Sequence, residues 1–198
     1  MEPKLFKKYK KILAIDEVGR GALAGPFYVG GLLSDFKFYK KINELDVKDS
    51  KKIKESKRKE IYKKIIALKP KFKIIKFTNK EVDKFGIGWC FKRAIEILYK
   101  EYRPDYILID GKPLKIEIIS GKAKFIVDGD EKIKLISTIS IISKVLRDNY
   151  MIKLDRYYPF YNFKFNKGYG TKEHFLAIEK YGPSPIHRHS FNLKRNVS

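Results

Sequence analysis

The sequence predicts an α/β fold, a mixed sheet flanked by helices, with a small helical and irregular appendage at the C-terminal end. Two observations along the chain predict it. Short apolar runs of strand length alternate with longer segments whose apolar residues recur at helical spacing. Their order is strand, strand, helix, strand, helix, strand, strand, helix, which suits layered sheet and helices better than segregated elements. A third observation is size: 198 residues, 43% of them hydrophobic and 14% aromatic, suffice for one domain with a full core. From Tyr157 the composition shifts to aromatics, Gly, Pro and all three histidines. Residues 1–156 are therefore expected to form the sheet domain and 157–198 an appendage to it, the two making one compact unit.

The first strand is Ile12 to Val18 and the second Phe27 to Leu33, joined by the glycine-bearing loop GRGALAGP. Ser56 is placed to cap a helix in which Ile61, Ile65 and Leu68 form the buried stripe and lysines fill the other face. KFKIIKFT follows as a strand. A second helix is expected after Gly88, with Phe91, Ala94, Ile95, Leu98 and Tyr102 on one face; Trp89 and Cys90 at its start read as packing residues. DYILIDG and KFIVDGD are two further buried strands. A long helix then spans Ile136 to Leu154, with Ile139, Ile142, Leu146 and Tyr150 on one face and Ser137, Ser140, Lys144 and Arg147 on another. A short helix is expected at Lys172 to Tyr181.

Forty-five Lys and Arg against 23 Asp and Glu leave a formal charge of +22, which on so short a chain makes a strong positive field. Nucleic acid is the expected partner, ahead of an anionic membrane surface. The single cysteine excludes an intrachain disulfide and a cysteine-rich zinc cluster. The apolar stretch Ile12 to Ile15 is too short for the core of a signal peptide, and no segment approaches the roughly 18 uninterrupted apolar residues of a membrane span. A cytoplasmic monomer with no membrane contact is the expectation.

Asp16 and Glu17, Asp110, and Asp130 each stand where an apolar strand gives way to a glycine-containing turn. Ligand sites of α/β sheets lie at such strand ends. Carboxylates gathered there repel one another and raise each other's pKa unless a divalent cation neutralises them, and an all-oxygen set favours Mg²⁺ or Mn²⁺ over zinc. The competing account is that aspartates end strands because they satisfy turn backbone groups. Adjacent strand residues also point to opposite faces, so Asp16 and Glu17 share an ion only if a bulge or twist near Gly19 turns them together.

IDEVGRG, residues 15–21, resembles the signature of type 2 ribonuclease H, the bacterial ribonuclease HII family. The resemblance continues in order through DSKK (49–52), LIDG (108–111), GD (129–130), SKVLRD (143–148), KGYGT (167–171) and HRHSF (187–191). It implies a ribonuclease H-like fold and makes Asp16, Glu17, Asp110 and Asp130 the metal-binding catalytic set. It makes Gly19, Arg20 and Gly21, with Tyr169, the reader of a ribonucleotide. The activity implied is hydrolysis of the RNA strand of RNA–DNA hybrids and incision 5′ of single ribonucleotides in duplex DNA. Cleavage would use two Mg²⁺ or Mn²⁺ ions and leave 5′-phosphate and 3′-hydroxyl ends.

The residues suit those roles chemically. Glycines at 19 and 21 let main chain approach a sugar, and the 2′-hydroxyl is a donor and acceptor that main-chain groups can bond. Arg20 offers a planar fork for a phosphate, and Tyr169 a ring for stacking. Plainer accounts are turn glycines, a solvated arginine and a packing tyrosine. Ser50 and Lys51 of DSKK, and the helix face of Ser137, Ser140, Lys144 and Arg147, are candidate contacts to the duplex backbone. The alternative for that face is a solvated helix surface with a Lys144–Asp148 pair. The three histidines are expected to be structural or to face phosphate.

Asn166 stands where the family usually has histidine, STIS (137–140) replaces an alanine-rich run, and Asp128 competes with Asp130 for the fourth ligand position. The rival function is a non-catalytic basic protein that coats nucleic acid; its protein partners, like those of the enzyme, are unknown.

Overall fold

Five segments pair into one sheet in the computed structural model, which describes residues 2–45 and 54–194. The strands are β1 (Ile12–Val18), β2 (Phe27–Ser34), β3 (Lys71–Phe77), β4 (Tyr106–Asp110) and β5 (Ala123–Ile126), in the order β3-β2-β1-β4-β5. β4 lies parallel to both β1 and β5. The helices are α1 (Glu2–Leu5), α2 (Phe36–Asn43), α3 (Glu55–Ala67), α4 (Asn79–Tyr102), α5 (Gly129–Lys132), α6 (Lys134–Asp155), α7 (Phe163–Asn166) and α8 (Lys172–Tyr181).

Ile12 to Ile15 of β1 and Ile107 to Ile109 of β4 are fully buried as continuous runs. Parallel strands covered on both faces bury every side chain rather than alternate ones. Gly30 and Gly31 of β2 report the two covers. Consecutive strand residues face opposite sides; a methyl on Gly30 would collide with Ser143 and Ile139 of α6, one on Gly31 with Leu98 of α4. Helices thus press on both faces, as expected of the α/β fold.

Several boundaries differ from the sequence reading. α3 starts at Glu55 with Lys54 in the capping position and no side-chain cap, so Ser56 lies inside its first turn. α4 begins at Asn79, well before Gly88. Thr78 and Glu81 form a reciprocal cap there, Thr78 N–H and hydroxyl each donating to Glu81 Oε2 at 2.8 Å, and Glu81 N–H to Thr78 Oγ1 at 3.2 Å. Gly86, at φ 79° and ψ 157°, then breaks the helix into two stretches. α2 has no counterpart in the sequence reading; Asp35 caps it by accepting from Phe38 N at 2.7 Å. The start of α6 is capped from a distance, Glu2 accepting from the amides of Lys134 (3.1 Å) and Leu135 (2.9 Å). Cys90 is buried as expected, but Trp89 is 45% exposed and stacks on Phe85 with centroids 4.3 Å apart.

Two compact units divide the chain. The first comprises Met1–Glu17, Val29–Ile75 and Phe91–Val145. The second comprises Val18–Tyr28, Lys76–Cys90 and Leu146–Ser198, so the C-terminal region is grouped with two earlier stretches. Its core is Leu23, Ala24, Met151, Tyr161, Phe163 and Ile178. α8 spans the residues expected of it, capped by Thr171. Among the described residues no helix is long and apolar enough to cross a membrane.

Candidate active site

In the first unit, the parallel register pairs Ile15 of β1 with Ile109 of β4. The next residue on each strand is an aspartate, Asp16 and Asp110, at the C-terminal ends of neighbouring parallel strands. Glu17 follows directly, and its N–H donates to Asp16 Oδ1 at 2.7 Å. Asp16 is 5% exposed, and its carboxyl is pushed well above the usual range, first by burial and then by the charges of Glu17 and Asp110. A hydrogen bond from the Ser140 hydroxyl on α6 and the Glu17 N–H oppose that shift.

Asp130 arrives by a different route. β5 ends at Ile126, and Asp128, in the left-handed region at φ 55°, starts the single turn of α5. Gly129 N–H donates to Asp110 Oδ1 at 2.6 Å. Asp130, the next residue, is fully buried, and its carbonyl accepts from the Ser137 hydroxyl. Asp128 is exposed and pairs with Lys132 at 3.8 Å. Of the two competitors, therefore, Asp130 is the buried one, next in sequence to the glycine that bonds Asp110, and it lies in a helical turn rather than at a strand end.

Among the described residues, no three carboxylate, imidazole or thiol groups converge at metal-ligating distance. The donor set still fits a hard divalent ion. It is all oxygen, Glu17 and Asp110 raise the proton affinity of Asp16, and a 2+ charge would relieve that repulsion.

The second unit holds the glycine-arginine loop. Gly19 has φ 86°, and a methyl there would collide with the Arg147 guanidinium, so backbone and packing both require glycine. Gly21 is different. Its φ lies outside the left-handed region, and among the described residues no heavy atom beyond its chain neighbours lies within 4 Å of where its Cβ would be. Among the described residues nothing demands glycine at 21, and both it and Arg20 are exposed. Tyr169, half-buried, pairs with Ala22 in an isolated antiparallel bridge, which sets it beside the loop.

Two buried arginines hold that loop. Arg188 Nη1 donates to the carbonyls of Gly19 (2.7 Å) and Arg20 (3.1 Å), and its Nε to Gly25 O at 3.1 Å. Arg147 donates to the carbonyls of Pro26 (2.9 Å), Lys167 (2.9 Å) and Ala24 (3.3 Å). Arg147 is fully buried and committed to main chain, which overturns its reading as a duplex contact. Of the same helix face, Ser137 is buried on Asp130 O, Ser140 is bonded to Asp16, and Lys144 is half-buried. Ser50 and Lys51 lie outside the described residues.

Asn166 has a structural role: its Nδ2 donates to Tyr161 O at 2.6 Å and its Oδ1 accepts from Gly168 N at 2.7 Å. His174 and His187 are fully buried and bonded to each other through Nε2 at 3.0 Å. Sequence reasoning assigns no such work to Ser140 or Arg188; for the two histidines it offers a structural role as one alternative, without their pairing. No local pattern marks a long-range partner.

Residues 13–194 match the family model described as Ribonuclease HII. The chain is 44% identical over 190 residues to a ribonuclease HII of Clostridioides difficile (strain 630), covering 93% of this chain and 71% of that protein. The fold is shared with the ribonuclease H2 of Pyrococcus horikoshii OT3, at a TM-score of 0.77 and 24% identity over 92% of this chain and 94% of the other. It is also shared with Bst-RNase HIII solved in complex with Mn²⁺, at a TM-score of 0.72 and 18% identity over 92% and 67% of the two chains.

Proposed function

The chain belongs to the ribonuclease HII family, and from that premise we propose its finer activity and the residues that perform it. It is a type 2 ribonuclease H, an enzyme acting on the RNA strand of RNA–DNA hybrids. The finer activity is incision on the 5′ side of a single ribonucleotide in duplex DNA, leaving 5′-phosphate and 3′-hydroxyl ends. The observation that carries this reading is the strand register that sets Asp16 beside Asp110, with Glu17 close enough to raise the Asp16 carboxyl.

Asp16, Glu17, Asp110 and Asp130 are the residues to hold Mg²⁺ or Mn²⁺. A pair of such ions held by these residues would supply activation of a water and stabilisation of the leaving 3′ oxygen. The chain's own groups orient the ligands: the Ser140 hydroxyl steadies Asp16, and the Gly129 amide steadies Asp110. Arg20 takes the phosphate of the ribonucleotide, the open face of Gly21 admits its sugar, and the Tyr169 ring stacks against it. Lys144, Ser50 and Lys51 are assigned to the duplex backbone, where cations and hydroxyls position without reading bases. The enzyme is assigned to the cytoplasm, where its only cysteine stays reduced.

Incubating the protein with a DNA duplex carrying one ribonucleotide, in Mg²⁺ and in Mn²⁺, tests this. A single cut 5′ of the ribonucleotide with a 3′-hydroxyl end is expected. Binding that falls steeply with salt, without cleavage in either metal, would instead favour the non-catalytic coating protein.

A further inference from the structure

We propose that His174 and His187 are positioning residues: together they form a one-directional hydrogen-bond chain that fixes the main chain at Tyr169 and so aims its ring. The proposal rests on the assignment of that ring to the ribonucleotide.

The direction follows from the two ends. Ser184 N–H can only donate, and it meets His187 Nδ1 at 2.8 Å, so that nitrogen is bare and the proton is on Nε2. Tyr169 O can only accept, and it meets His174 Nδ1 at 2.9 Å, so that nitrogen carries the proton and His174 Nε2 is bare. Derived separately, the two tautomers fit at the Nε2–Nε2 contact of 3.0 Å, His187 donating and His174 accepting. The Ser184 hydroxyl, 2.8 Å from His187 Nδ1, adds a second donor there.

Such a chain holds only while both rings are neutral. A proton added to His187 Nδ1 would face Ser184 N–H, and one added to His174 Nε2 would face the N–H of its partner. Burial pushes both imidazoles down, His187 to about 4. The rings of Tyr161 and Phe163 wall the pair, with centroids 5.0 and 5.9 Å from His187. The titratable groups facing the pair are Tyr161, whose hydroxyl donates to Gly182 O at 2.7 Å, and His189, whose charge also disfavours protonation of His187. On its other side the Tyr169 amide donates to Asn166 O at 2.9 Å, so the residue is gripped at both ends of its peptide unit.

The imidazole ¹⁵N spectrum of the wild-type protein tests the chain without any variant. His187 protonated at Nε2 and His174 protonated at Nδ1 are expected at pH 7, with His187 still neutral at about pH 5. Reversed tautomers, or a charged His187 ring at that pH, would overturn the proposal. Cleavage of the single-ribonucleotide duplex tests the consequence. His174→Leu should lower kcat about tenfold with KM changed less than about threefold. His174→Asn, which keeps a donor near the Nδ1 position, should recover most of the loss. In a Tyr169→Ala background His174→Leu should have almost no further effect, because both act through one ring. Full additivity there overturns the positioning role alone. A Tyr169→Ala enzyme that cleaves like wild type overturns the ribonucleotide assignment, and this proposal with it.

Discussion

Gly129 N–H donates to Asp110 Oδ1 at 2.6 Å, joining the turn that carries Asp130 to the end of strand β4. A methyl on Gly129 would lie 3.1 Å from that oxygen and 2.8 Å from Ile136 Cδ1. Gly129→Ala should therefore push the two acids apart and lower kcat by about tenfold or more, in line with losses from misplaced ligands, while duplex binding by gel shift persists. Unchanged kcat would show that the spacing of Asp110 and Asp130 is not critical.

Asp16 is a buried carboxyl whose ionised form is disfavoured by burial and two neighbouring acids. Asp16→Asn should abolish Mg²⁺-dependent cleavage, keep duplex binding, and raise the melting temperature measured in EDTA. Added Mg²⁺ should stabilise the wild type and stabilise the Asp16→Asn variant less, since an ion that binds only the folded state raises its stability by mass action. Equal thermal shifts in both proteins would argue against Asp16 as a ligand.

Gly21 has no left-handed φ, and the described residues leave open space at its missing side chain. Gly21→Ala should leave the urea midpoint within experimental scatter yet slow incision at a single ribonucleotide. Tyr169→Ala should likewise slow that incision more than it weakens binding to all-DNA duplex. A loss of stability in Gly21→Ala that matched the loss of activity would return Gly21 to a purely structural role.

Arg188 satisfies three main-chain carbonyls around the glycine-arginine loop from a fully buried position. Arg188→Met removes the guanidinium donors from those oxygens, leaving Gly19 O only the 3.4 Å bond from Ala22 N–H, at a cost of about 3 kcal/mol or more in urea unfolding. Arg188→Lys should recover little of it, because a point charge on a flexible stem cannot reach all three.

The His187 pair predicts a pH dependence of stability. The ring stays neutral in the folded protein down to about pH 4, whereas in the unfolded chain it takes up a proton near its ordinary value of 6.5. Between those values the unfolded state binds more protons, so stability is whole above pH 6.5 and declines as pH falls towards 4. The total is roughly 3 kcal/mol. Urea melts from pH 7 to 4 should show a decline that is shallower by about this amount in His187→Gln; parallel curves would place the proton elsewhere.

What the sequence by itself determined were the features that depend on neighbours along the chain. Apolar runs and helical stripes located five strands and the main helices, because burial on a sheet or helix face imposes a period. The carboxylates Asp16, Glu17 and Asp110 were legible as acids at strand ends. Even the early start of α4 had a local signal, the Thr78–Glu81 cap. The tertiary structure alone decided which partners those residues met. It buried Asp130 and left Asp128 exposed to pair with Lys132. It withdrew Arg147 from the surface to hold main-chain carbonyls, and it matched two histidines thirteen residues apart. Periodicity reports which face a side chain takes. The group it meets there is set by strand register and loop closure, which bring together residues that no local pattern connects.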